Sequence, residues 1–333
     1  MHSILLSFPW SCSVLKLHIC HREDMDNQCS SYDEQDYIKE FKKWFFDECP
    51  KTLNLLIIGK TGVGKSRLVN ALVGKKVAKE GRTLDPCTSE VTSYKVDIER
   101  VTVTVWDSPG LQDGTRKEAK YIEDMKKKIK DVALIIYCVK MDDTRFHDED
   151  KKAIRILTEE FGKEVWKHAV VALTFANRVE DPDGEEELEY FQSHLEEWKR
   201  QFREYFASVG VDPEVCVPVI PVGNVKSMCL PDGQNWLSDL WLECYRAMKP
   251  STRRGMYKIN ENRLKKASSV TYSTSTSGDD GIPPEIPLNE QQQNSFLESS
   301  WEAFLKFVGT AFVTAVVGKV LSALKGAFSF LRR

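Results

Sequence analysis

Residues 59–66 read Gly59, Lys60, Thr61, Gly62, Val63, Gly64, Lys65, Ser66. This is the G-x-x-x-x-G-K-[ST] spacing, and its chemistry is phosphate binding. Glycines let the backbone curl until consecutive N–H groups converge on phosphate oxygens. Lys65 adds a point charge for the β- and γ-phosphates, and Ser66 adds a hydroxyl for Mg²⁺. Arg67, in the same turn, completes the candidate nucleotide-binding set. An apolar run at 53–58 precedes the motif and "SRLVNALVG" follows it. The motif therefore sits between a strand and a helix, where the helix's N-terminal partial charge favours an anion. An ordinary Gly-rich turn is the plain alternative.

A second group lies downstream. "VTVTVWDSPG" ends a strand with Asp107 and then Gly110. An acid there can join the Mg²⁺ shell, and the Gly110 N–H can sense a γ-phosphate. Between the two motifs runs the polar segment "GRTLDPCTSEVTS" (81–93), in which Thr88 is the candidate for a second hydroxyl on the metal. A solvated threonine is the alternative there.

The elements that must position these residues are legible as a rhythm. Strand-length apolar runs fall at 53–58, 93–99, 101–106, 132–139, 169–175 and 215–222. Charged helical stretches lie between them at 65–73, 115–130, 147–160, 184–208 and 235–248. The alternation predicts an α/β fold, a mostly parallel sheet with helices on both faces. The nearly contiguous runs across 93–106 predict one antiparallel hairpin. Net charge is −3, so there is no global pull toward nucleic acid and none is expected as a partner. The nine cysteines form no C-x-x-C pair, which argues for reduced thiols and against a disulfide framework or zinc site. Cys138 and Cys216 lie in apolar runs and are expected to be buried.

Beyond the core, 1–31 reads as disordered or wrongly started, and 32–48 as an amphipathic leading helix to a domain ending near 250. Residues 251–300 read as a basic stretch followed by a Ser/Thr/Gln/Pro-rich linker. Residues 301–333 read as a C-terminal hydrophobic helix. At ~100° per residue, the lysines, serines and threonines of 306–329 fall on one side and apolar residues on the other. That suits a helix lying in an anionic membrane surface, aided by the charges of 251–266. A helix docked on protein and a spanning anchor are the alternatives.

On "GKTGVGKS", "DSPG" and "DVALIIYCVKMDDTRFHDEDKKAIRILTEEFG" (131–162), the chain resembles the GIMAP (immunity-associated, AIG-type) G proteins and the related chloroplast-import Toc GTPases. Thr88 stands nineteen residues before Asp107, as the family's switch threonine does. The resemblance implies a Ras-like P-loop G domain that binds GTP/GDP with Mg²⁺. It also implies a homodimer through the nucleotide face, and a cytoplasmic location at the cytosolic face of a membrane.

Two departures stand out. Where such proteins close a strand with [NT]-K-x-D or T-R-x-D, this chain has Thr174, Phe175, Ala176, Asn177. Asn177 offers guanine one carbonyl acceptor and a competing donor, while Phe175 can stack on the base. Asn224, after the run 215–222, is similar to the family's second base contact. The second departure is Leu111, directly after Gly110, where Ras-like enzymes place a water-orienting glutamine. A catalytic group must then come from Gln112, Arg82, Arg145 or a second molecule. The expected function is a slow GTPase acting as a self-associating switch. A nucleotide-binding scaffold without turnover, and another P-loop enzyme such as a kinase, are the alternatives.

Overall fold

The computed structural model describes residues 50–78, 92–107, 123, 125–127, 131–143, 145–180, 186–224, 227–266 and 282–304. The expectations for 1–48, for Arg82, Thr88, Gly110, Leu111 and Gln112, and for the tail from 305 lie outside these residues.

A six-stranded sheet with order β2-β3-β1-β4-β5-β6 occupies the centre of the unit Pro50–Phe296. β1 (Thr52–Gly59) buries Leu53, Leu55, Leu56, Ile57 and Ile58, so both of its faces are covered, as an interior parallel strand requires. It pairs in parallel with β3 (Val101–Asp107) and β4 (Leu134–Lys140). β5 (Ala169–Thr174) and β6 (Val219–Val222) extend the parallel run. β2 (Thr92–Ile98) pairs antiparallel with β3. The hairpin turns on Glu99 and Arg100, both at positive φ (48° and 68°), the two-residue geometry that matches strand twist.

The helices are α1 (Lys65–Val73), α2 (Asp148–Phe161), α3 (Glu187–Ser208), α4 (Trp236–Ala247) and α5 (Arg253–Asn260). The crossover through α1 moves toward β3, whereas those through α2 and α3 move the other way. Right-handed crossovers then place α1 opposite α2 and α3. α4 packs on α1, β5 and β6. The chain direction across the sheet thus reverses at β1, and ligands bind beyond the carboxyl ends of the strands at such a point.

Two expectations change. β6 begins at Val219, not 215, because the preceding chain turns through Pro213 and Pro218; Cys216 is exposed there, while Cys138 in β4 is buried. The larger correction concerns the described parts of 251–300, residues 251–266 and 282–300; the linker residues 267–281 lie outside the described set. Residues 253–260 form α5, and β7 (Leu264–Lys266) pairs with β8 (Ile286–Leu288). Residues 290–304 are helical. Arg253 and Arg254 are buried, and Lys258 pairs with Glu261. Arg263 donates to the carbonyls of Ala71 (2.7 Å), Leu72 (3.3 Å) and Pro283 (2.8 Å) and to Asn260 Oδ1 (2.6 Å). Arg263 caps the end of α1 with positive charge, and Arg253, Arg254 and Arg263 are thus removed from the set available to a membrane. A separate compact unit includes the described residues 297–304, where the rings of Trp301 and Phe304 lie 5.4 Å apart.

Candidate nucleotide site

The loop 59–64 leaves β1 at its carboxyl end and enters α1. Gly59 is required by contact: a Cβ there would lie 2.3 Å from the Cys138 carbonyl oxygen of β4. Gly62 and Gly64 sit at φ 82° and 85°, a region that costs other residues about 1–2 kcal/mol. Gly64 is the N-cap of α1 and supplies no side-chain acceptor, so the first N–H groups of the helix are left to another acceptor. A Cβ at Gly62 would meet nothing within 4 Å, so the loop borders open space there. Lys65 is buried, its Nζ 2.8 Å from the Gly59 carbonyl and 2.9 Å from that of Lys60. Ser66 follows in the first turn of α1. Asp107 ends β3 and is in register with Ile57 of β1, which places its backbone beside the strand that feeds the loop.

Lys60 behaves differently from its neighbours. Its Nζ lies 2.7 Å from Asp150 Oδ2 and 3.5 Å from Glu149 in the first turn of α2. Asp150 is only 2% exposed, and Tyr137 of β4 donates to its carbonyl at 3.1 Å. Burial raises the Asp150 carboxyl above its usual value, with Lys60 pulling the other way. The side chain of Lys60 thus bolts the loop to α2 and leaves its backbone for a phosphate. The adjoining segment is anchored too, since Phe146 packs on Trp198, Phe202 and Tyr205 of α3 with centroids 4.6–6.1 Å apart. Arg145 beside it is exposed.

Two further loops close the far end. After β5, Phe175 takes the left-handed conformation (φ 59°, ψ 23°). This turns its ring toward the loop, where a Cβ on Gly64 would lie 3.6 Å from two ring carbons. Lys140 and Arg178 hold their cations 5.6 and 4.8 Å from the ring centroid. Thr174 faces inward and donates to the Val139 carbonyl. Asn177 reaches the loop after β6, its Oδ1 accepting from the Asn224 N–H at 3.1 Å. A Cβ at Gly223 would approach Asn177 Cγ to 3.2 Å, so the amide lies flat against that backbone.

The AIG1 family model matches residues 53–204. That segment resembles AIG1-family domains. Its P-loop, α2 and base-side turn after β5 are the features described above. The Pisum sativum protein translocase of chloroplast 34 is 31% identical over 209 residues, covering 57% of this chain and 64% of that protein. GTP-binding protein A of Dictyostelium discoideum is 27% identical over 166 residues, covering 47% of this chain and 36% of its own. The chain thus spans less than two thirds of either relative. A solved structure of the chloroplast translocon components atToc33 and psToc159, whose dimerization is important for their GTPase activity, matches at TM-score 0.51 and 21% identity. It covers 63% of this chain and 88% of the matched one, and shows the shared fold.

Around the AIG1 P-loop, the structure gathers Gly59, Lys60, Thr61, Gly62, Val63, Gly64, Lys65, Ser66 and Arg67 with Phe175. Asn177 and Asn224, singled out separately, touch each other. Three features were missed: the Lys60–Asp150 bolt, the cations flanking Phe175, and Arg263 behind α1. Only the first had a signal, the acidic triplet Asp148, Glu149, Asp150 at a helix start.

Proposed function

We propose that the protein binds GTP and GDP with Mg²⁺ in this loop and hydrolyses GTP slowly, as a switch that self-associates. The observation that carries the reading is the geometry of 59–66. It combines two left-handed glycines, open space at Gly62, an uncapped helix start and a buried lysine whose ammonium lies along the loop. The donor set fits a polyphosphate, since all of it is N–H or ammonium and none of it carboxylate. Ser66 and Asp107 are the residues that would hold Mg²⁺, joined by Thr88 from sequence. The ion would supply neutralisation of phosphate charge.

Phe175 gives an apolar platform for a base, and its flanking cations favour an electron-rich one. Lys65 and the first turn of α1 supply fixed positive charge, which stabilises negative charge developing on phosphate oxygens. Leu111, an apolar residue after Gly110, cannot orient water, so intrinsic turnover is slow. Completion by a second copy agrees with the dimerization of the related translocon components. Exposed Arg145, on a segment pinned by Phe146 and bolted through α2 to the loop, is placed to serve that role. The same leucine favours a second reading, a scaffold that binds nucleotide without turning it over.

At a membrane, the amphipathic tail beyond 305 would act without the buried arginines of 253–263. Among the described residues no helix is long and apolar enough to cross a bilayer. The test is nucleotide turnover by the full-length protein over a range of protein concentration. A specific activity that rises with concentration supports the switch. Absent turnover with intact binding supports the scaffold.

A further inference from the structure

Guanine is distinguished from other 6-oxopurines by its 2-amino group, which an ionised carboxylate accepts together with the N1–H. The base-side turns at 174–179 and 222–224 contain no carboxylate; the first acid after the former, Glu180, is exposed. Asn177 stands nearest that role, and its oxygen already accepts one backbone N–H. The Asn224 backbone N–H can only donate, so the atom it meets at 3.1 Å must be the amide oxygen. The amide lies close beside Gly223, where a Cβ would approach Asn177 Cγ to 3.2 Å. The half-buried Asn177 therefore braces two loops with its oxygen and keeps its Nδ2 donors for a ligand. Lys140 and Arg178 add two cations beside Phe175, so this end of the site presents donors and positive charge.

We infer that the site reads a 6-oxopurine by its acceptor edge, O6 and N7, and is indifferent to the 2-position. Inosine and xanthosine nucleotides are accepted as well as guanosine nucleotides, and adenosine nucleotides, whose 6-amino group opposes a donor, are not. Asn177 is a positioning and specificity residue. The inference rests on the nucleotide reading of the P-loop.

The experiment is calorimetry of the full-length protein with GTP, ITP, XTP and ATP in Mg²⁺, repeated with Asn177→Asp. This variant keeps an oxygen for the Asn224 N–H, so the brace survives. The expected result is GTP, ITP and XTP within about threefold of one another, because no charged hydrogen bond, worth roughly tenfold or more, is at stake. ATP should bind at least about tenfold more weakly. In Asn177→Asp, GTP should gain about tenfold over ITP and more over XTP. A tenfold GTP preference over ITP in the wild type overturns the inference, as does an unchanged ratio in the variant. Both outcomes leave the P-loop reading intact. That reading fails separately if Lys65→Ala binds every nucleotide as the wild type does.

Discussion

Replacing Lys60 with methionine keeps the aliphatic stem and removes the ammonium 2.7 Å from Asp150 Oδ2. Asp150 is 2% exposed, and the Tyr137 hydroxyl, 3.5 Å from Oδ1, is a weak substitute partner. Breaking a buried pair from one side costs about 3–5 kcal/mol. Lys60 is itself 20% exposed, which softens its contribution, and the carboxyl can escape by protonating at about 1.4 kcal/mol per pH unit. The variant should therefore lose about 2–4 kcal/mol near neutral pH. The sign with pH is definite. Burial already holds Asp150 above its ordinary value of 3.8. A carboxyl raised on folding costs stability above its folded pKa, and that cost vanishes below the unfolded value. Without Lys60 the folded value climbs further, so the deficit is largest at neutrality and shrinks as pH falls toward about 5. Asp150→Asn added to Lys60→Met should restore much of the loss. Urea denaturation of the three proteins at both pH values measures this. A Lys60→Met deficit under about 0.5 kcal/mol, or one equal at both pH values, refutes the reasoning.

Gly59→Ala should destabilise by about 3 kcal/mol or more, since its Cβ would press on the Cys138 carbonyl at 2.3 Å; an unchanged melting temperature counts against this placement. Arg263→Met should cost about 2–4 kcal/mol by leaving the Ala71, Leu72 and Pro283 carbonyls without a donor, read by the same denaturation assay. Hydrogen exchange should then quicken at the end of α1; unaltered exchange there would show that the cap is dispensable. Arg145→Ala should change stability by under about 0.5 kcal/mol, because the side chain is exposed, yet abolish the rise of turnover with protein concentration. Retention of that rise would remove Arg145 from catalysis.

Sequence pattern reached the scaffold and the phosphate loop because both are written locally. α1 spans 65–73 as predicted, since Gly64 and Gly74 take left-handed conformations at its two ends. The hairpin followed from two strand patterns, 93–99 and 101–106, with one residue between them, and the turn falls at 99–100. What stayed hidden depends on partners distant in the chain. The basic run 251–266 resembles a membrane-seeking stretch by charge count, yet Arg263 finds its partners about 190 residues away, on backbone carbonyls that composition does not reveal. Asn177 and Asn224 were each singled out in the sequence as candidate base contacts, but the bond between them joins loops 47 residues apart. Lys60 looked like part of a phosphate cradle because the motif says so; only α2 packing against the loop shows its side chain engaged elsewhere.

The most direct test of the nucleotide reading is titration calorimetry of the full-length chain with GTP and GDP in Mg²⁺, beside Lys65→Ala and Lys65→Met. The buried ammonium is the main fixed charge of the loop, so both variants should bind at least about a hundredfold more weakly while unfolding with the same cooperativity as the wild type. Equal affinity in the wild type and in both folded variants would contradict a nucleotide site at residues 59–66.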